Sequence, residues 1–131
     1  MKKDIIICNT YFQLIEAIQL KNTLFLHESV TVVFSDHSRN AENIVKQIKS
    51  LDIFEQCFFW NSFKKMKEQE KNSHENRRLL LCEINGKDGY GNPFESGICD
   101  ELIYYNQFDN LKVVFAELYE KNPQIKVSRF E

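Results

Sequence analysis

Residues 5–18 read IIICNTYFQLIEAI, and this stretch decides the fold. Its first four residues are a continuous apolar run, which is typical of a strand buried on both faces. From Tyr11 the apolar side chains recur every third or fourth residue, which predicts an amphipathic helix capped by Asn9 or Thr10. The stretch therefore predicts the strand-to-helix junction of an α/β protein.

The rest of the chain repeats this alternation of extended and helical patterns. Further strands are predicted at 29–35, 53–60, 100–106 and 125–131, with helices at 39–51 and 106–121. Short links between them favour βαβ units with right-handed crossovers. The sequence therefore predicts a single Rossmann-like domain over residues 1–131, a three-layer α/β/α arrangement around a mainly parallel sheet.

The middle of the chain is less regular. Residues 62–76 are a charge-dense helix candidate, and 77–84 fit either the end of that helix or a short buried strand. Residues 85–97 contain all four glycines of the chain and predict a turn-rich loop, either flexible or gating a substrate.

Composition narrows the functional classes. The 131 residues include 17 basic and 19 acidic side chains, a net charge of −2, which argues against a dedicated nucleic-acid binder. The four cysteines and three histidines lack the spacing of a metal site, so no metal is expected and buried free thiols are predicted. The apolar run in MKKDIIIC is too short for a signal peptide, and no segment has membrane-spanning length. We therefore expect a cytoplasmic protein.

Ligands of open α/β sheets bind in the crevice beyond the carboxyl ends of the strands. The predicted strands end in polar residues, which either cap helices or outline a polar cleft: Asn9, Thr10, Asp36, His37, Asn61, Ser62, Asn106 and Glu131. Asp36 and His37 are an alternative acid/base pair, although a surface turn is the simpler explanation, because adjacent residues often point in opposite directions. The first strand is followed by neither G-x-G-x-x-G nor a P-loop, which excludes the usual dinucleotide and nucleotide-hydrolase sites.

The segment IIICNTYFQLIEAIQLK, residues 5–21, resembles the opening of bacterial glycosyltransferase family 52, the lipooligosaccharide and capsule sialyltransferases. DELIYYN, residues 100–106, is similar to a later strand of that family. The resemblance implies the amino-terminal half of a GT-B enzyme, whose absent carboxyl-terminal domain would hold a CMP-sugar donor. The half present here would face a glycan acceptor, would need no cofactor of its own, and would be inactive alone.

The resemblance also implies roles for individual residues. Asn9, Thr10 and Gln13 would line the acceptor side, with Asp36 and Asn106 in the same substrate cleft, and Glu131 would approach the position of the catalytic base. The second acidic residue and glycine expected after that glutamate, and a downstream His-Pro pair, are not in the sequence.

The implied partners are the glycan acceptor and the donor domain, with no nucleic acid. Self-association and peripheral membrane contact stay open. The alternative is a stand-alone Rossmann-like binding or interaction domain without catalysis.

Overall fold

The computed structural model describes residues 2–64, 84–85, 99–105 and 109–130. Its elements in chain order are β1 (Lys3–Cys8), α1 (Tyr11–Asn22), β2 (Ser29–Ser35), α2 (Ala41–Ser50), β3 (Gln56–Trp60), β4 (Ile84–Asn85), β5 (Glu101–Tyr104), α3 (Asp109–Lys121) and β6 (Lys126–Arg129). None of the helices in these ranges is long and apolar enough to cross a membrane.

The strands form one sheet in the order β4-β3-β2-β1-β5-β6. β1 lies at the centre, parallel to both β2 and β5, and the outer pairs β2–β3 and β5–β6 are also parallel. Only β4, among the strands described, runs antiparallel, pairing with β3 through Ile84 and Asn85. The prediction of a mainly parallel sheet is confirmed.

Two cores cover the two faces of the sheet. Successive residues of β1 alternate between them, because side chains along a strand point to opposite faces. Ile5 and Ile7 pack with α3, whereas Ile6 and Cys8 pack with α1 and α2. The predicted three-layer α/β/α arrangement is therefore confirmed.

The differences from the predicted element boundaries have local causes. α2 begins at Ala41 rather than Arg39, because Asn40 has a left-handed backbone with φ 60° and ends the preceding turn. β3 begins at Gln56 rather than Ile53, because the chain turns at Asp52, where φ is 53°. The predictions for 65–83 and 86–98, which include most of the charged helix and the glycine loop, lie outside the described residues.

Leu102 provides a test of this core, because its side chain is fully buried in the layer between the sheet and α3. We expect Leu102→Ala to lower the free energy of unfolding by about 2–5 kcal/mol, since it removes buried apolar contacts and leaves a cavity. Leu24→Ala is the control, because Leu24 is 67% exposed and its loss should cost less than about 0.5 kcal/mol. Urea unfolding followed by circular dichroism measures both; equal losses would contradict the layer assignment.

Candidate functional site

The carboxyl end of β1 lies where the strand order of the sheet reverses. The chain leaves β1 towards β2 on one side, whereas β5 and β6 occupy the other side. Such a switch point opens a crevice at the carboxyl edge of the sheet, the edge at which the parallel strands end. Asn9 is the first residue beyond β1 and lies at this point.

A buried network of neutral polar side chains occupies the carboxyl edge. The Asn9 carboxamide oxygen accepts hydrogen bonds from Ser35 Oγ at 2.5 Å and from Asn110 Nδ2 at 3.0 Å. The Asn110 amide also donates to Ser62 Oγ at 3.1 Å. All four residues are at most 1% exposed. We call Asn9, Ser35, Ser62 and Asn110 the carboxyl-edge network.

Each member of the network belongs to a different strand end. Asn9 follows β1, Ser35 is the last residue of β2, Ser62 lies two residues beyond β3, and Asn110 lies in the first turn of α3, after β5. The network therefore fixes the carboxyl ends of the central strands relative to one another. Its hydrogen bonds also satisfy groups that burial would otherwise leave unpaired at a cost in stability.

The first residues of α1 are held by reciprocal capping. Thr10 Oγ1 accepts a hydrogen bond from the backbone N–H of Gln13 at 3.2 Å, as an N-cap does. The Gln13 side-chain oxygen in turn accepts the backbone N–H of Asn9 at 2.7 Å. This arrangement resembles a capping box, except that the Gln13 side chain bonds to the residue before the N-cap rather than to the N-cap itself. Asn9, Thr10 and Gln13 therefore lie together, and these hydrogen bonds stabilise the junction between β1 and α1.

Asp36 is held in a comparable way. Its two carboxylate oxygens accept backbone N–H groups of Phe63 at 2.7 Å and Lys64 at 2.8 Å, where the chain enters a helical turn after β3. The His37 ring packs edge-on against Phe63, with ring centroids 5.4 Å apart. Asp36 therefore caps a helical turn, as the simpler of the two sequence interpretations predicts.

Two aromatic side chains that follow Asn9 closely in the chain are exposed. Tyr11 and Phe12, at the amino end of α1, are 39% and 70% exposed. The Tyr11 ring lies 5.8 Å from the ring of Phe34 in β2, which anchors it beside the carboxyl edge. An exposed ring next to fixed polar groups is a surface suited to a ligand that has both an apolar face and hydroxyl groups.

Two of the candidate residues, Asn106 and Glu131, lie outside the described residues. In the part of the chain that the structure describes, no three His, Cys, Asp or Glu side chains form a group that could hold a metal ion.

The cysteines of the described ranges are buried free thiols, as predicted. Burial raises the pKa of Cys8 well above its ordinary value, and it raises the pKa of Cys57 and Cys99 to about 12. A thiol must ionise to act as a nucleophile, so these three side chains are packing groups. Cys82 lies outside the described residues.

Sequence reasoning missed two members of the network, Ser35 and Asn110. It named their neighbours Asp36 and Asn106, because those residues directly follow the predicted strands. The signal for Ser35 was a hydroxyl at the end of the apolar run VTVVF. Asn110 gave no local signal, since an asparagine in the first turn of a helix is ordinary.

Asn9→Ala tests the network. It leaves the Ser35 hydroxyl and one Asn110 N–H without their shared acceptor, so we expect unfolding to become easier by about 2–4 kcal/mol. The matched control is Asn43→Ala, which removes an exposed hydrogen bond from Asn43 Nδ2 to Asn40 Oδ1 and should cost less than about 0.5 kcal/mol. The two variants are compared by the urea concentration at the midpoint of unfolding, provided that the unfolding free energy has the same slope against urea in both. Equal midpoints would show that the network does not fix the strand ends.

No protein family, curated protein or solved structure matches this chain. The resemblance of residues 5–21 to glycosyltransferase family 52 therefore stays a prediction from the sequence.

Proposed function

We propose that this chain is the acceptor-side domain of a CMP-sugar-dependent, sialyltransferase-like glycosyltransferase of bacterial surface polysaccharide or lipooligosaccharide synthesis. The carboxyl-edge network carries the proposal. It forms a rigid, uncharged polar layer at the switch point, the place where an open α/β sheet binds its ligands.

The chemistry around the network favours a glycan over a nucleotide. Asn9, Ser35, Ser62 and Asn110 are neutral, and the exposed rings of Tyr11 and Phe12 lie at the start of α1, within three residues of Asn9. A sugar ring has an apolar C–H face that packs on an aromatic side chain, whereas its hydroxyls exchange hydrogen bonds with amides and hydroxyls. A nucleotide phosphate would instead call for a glycine-rich loop or a cluster of cations.

The proposed domain binds the acceptor but does not transfer a sugar by itself. Inverting transfer needs a carboxylate that can accept the acceptor's proton. Both oxygens of the Asp36 carboxylate already accept backbone N–H groups, so this side chain is engaged as a cap. The base would be Glu131, as the family resemblance implies, and the CMP-sugar would bind to a separate donor domain.

The proposed location is the bacterial cytoplasm, where CMP-sugars are consumed by such enzymes. Cys8, Cys57 and Cys99 are all free thiols, which suits a reducing compartment.

A stand-alone binding or interaction domain is the second candidate. The observation that favours it is that the described hydrogen bonds of Thr10 and Asp36 are capping bonds, which a purely structural edge would also contain. The two candidates differ in whether the carboxyl edge recognises sugars.

The proposal is tested by titrating the protein with lactose and other neutral oligosaccharides, and separately with CMP, while the backbone amide signals are followed by NMR. We expect oligosaccharides to shift the amide signals of residues 9–13, and CMP to leave them unchanged, because the donor site would lie elsewhere. Phe12→Ala should weaken oligosaccharide binding about three- to tenfold, since it removes a stacking surface worth about 0.5–1.5 kcal/mol.

Leu51→Ala is the matched control, because Leu51 is an apolar side chain of similar exposure, 61%, beyond α2. Its sugar affinity should equal that of the unmodified chain. Absence of any oligosaccharide response at residues 9–13 would reject the acceptor-side proposal in favour of the second candidate. Shifts of the same signals by CMP would reject the assignment of the donor to another domain.

A further inference from the structure

The amino edge of the sheet, opposite the candidate site, contains buried charges. The Asp4 side chain is 0% exposed and the Glu101 side chain 5% exposed. The two residues are register partners on the adjacent strands β1 and β5. Asp4 lies two positions before Ile6, and Glu101 lies two positions before Ile103. Ile6 and Ile103 belong to the core that packs against α1 and α2, so both carboxylates lie on that face of the sheet.

One lysine lies within ion-pair distance of three carboxylates at this edge. Lys2 Nζ lies 2.5 Å from Glu101 Oε1, 3.5 Å from Asp4 Oδ1 and 3.9 Å from Glu28 Oε1. We call Lys2, Asp4, Glu28 and Glu101 the amino-edge cluster. Its short contact is with Glu101, so the lysine is committed mainly to that partner.

Glu101 has further partners on β6. Its second oxygen accepts a hydrogen bond from Ser128 Oγ, and Lys126 Nζ lies 3.8 Å from its first oxygen. Burial by itself would raise the pKa of this carboxyl, but the hydrogen bonds from Lys2 and Ser128 and the two lysine charges together lower it. Glu101 is therefore the ionised carboxylate of the cluster.

Asp4 and Glu28 are differently placed. Both oxygens of Asp4 and Oε2 of Glu28 are buried and accept no hydrogen bond from the described residues. Lys21 Nζ donates to the backbone carbonyl of Glu28 at 2.8 Å. In the part of the chain that the structure describes, Asp4 has one ion pair, the 3.5 Å contact with Lys2, and that ammonium lies closer to Glu101. A buried carboxylate in this position either takes up a proton or destabilises the fold.

We propose that Asp4 keeps its proton in the folded protein near neutral pH, which makes the amino-edge cluster a pH-sensitive contact between β1, β5 and the segment leading into β2. The proton lets Asp4 donate a hydrogen bond to Glu28, and Lys2 stays paired with Glu101. Cys99, another titratable side chain near Asp4, stays a neutral thiol because burial raises its pKa to about 12.

The electrostatics of Asp4 agree with this geometry. The pKa of Asp4 is raised to about 7, mainly by burial and secondly by the hydrogen bond with Glu28, while the charge of Lys2 acts to lower it. A carboxyl whose pKa is higher in the folded than in the unfolded chain stabilises the fold when protonated. That stabilisation is complete at acidic pH, below the unfolded pKa, and is lost as the pH rises through about 7.

Loss of the proton would affect more than one strand. Lys2 Nζ lies 5.7 Å above the ring of Phe25, and that ring stacks on Phe130 at a centroid distance of 6.3 Å. Phe130 follows β6, so a lysine drawn from Glu101 towards an ionised Asp4 would weaken two contacts with the end of the sheet. We expect this edge to loosen at alkaline pH.

Carbon-detected NMR of the side-chain carboxyl groups, recorded against pH, tests the proposal. We expect the Asp4 signal to titrate near pH 7 rather than near its ordinary value of about 3.9. Glu28→Gln should move this titration towards the ordinary value, because the new amide donates a hydrogen bond to ionised Asp4. An Asp4 signal that titrates at its ordinary pH, or that does not respond to Glu28→Gln, would overturn the proposal that Asp4 keeps its proton through a hydrogen bond to Glu28.

Asp4→Asn provides an independent stability measurement. The amide can donate to Glu28 as the protonated carboxyl does, so the variant should fold but lose the dependence on pH. Between about pH 5 and pH 7 the folded chain holds a proton on Asp4 that the unfolded chain has lost, so the urea midpoint of the unmodified chain should fall across this range, whereas that of Asp4→Asn should stay level. Glu55→Gln, an exposed carboxyl change near the same edge, is the control and should retain the fall. A parallel fall in Asp4→Asn would contradict the proposal.

Discussion

A central strand of a parallel sheet must satisfy every polar group at its two ends inside the protein, because helices cover both its faces. β1 has this position, and the residue that follows it, Asn9, is 1% exposed. Its carboxamide oxygen accepts one hydrogen bond from the end of β2 and one from the start of α3. The layer of side chains beyond the strands depends on the Asn9 carboxamide oxygen. The surface that is proposed to bind a sugar depends on it as well.

The two ends of the sheet pair their polar groups by different chemistry, and at the amino edge both oxygens of Asp4 accept no hydrogen bond from the described residues. The carboxyl edge uses neutral amides and hydroxyls, whose hydrogen bonds change little with pH. The amino edge uses Lys2 and the carboxyls of Asp4, Glu28 and Glu101, whose pairing depends on ionisation. The proposed ligand site at the first edge and the proposed pH-sensitive contact at the second therefore use different side chains.

The strands and helices that leave a periodic pattern of apolar residues could be predicted from the sequence. Continuous apolar runs identified β1 and β2, and the change of spacing at Tyr11 placed the start of α1, because burial on two faces and burial on one face leave different patterns. The sequence could not predict the partners of Asn9, since Ser35 and Asn110 lie 26 and 101 positions away and meet only in the folded sheet. The burial of Asp4 was equally invisible, because an aspartate beside two lysines is ordinarily at the surface. The antiparallel pairing of Ile84 and Asn85 depends on the path of the chain between β3 and β5, which no local pattern specifies.

Asn9 and Ser35 act together to hold the carboxyl edge. A double-mutant cycle with Asn9→Ala and Ser35→Ala, followed by urea unfolding, measures their interaction separately from the cost of each change. We expect a coupling free energy of about 0.5–3 kcal/mol, because either change alone already removes the hydrogen bond between the two side chains. Strictly additive losses would contradict this coupling, since they would show that the two side chains contribute independently.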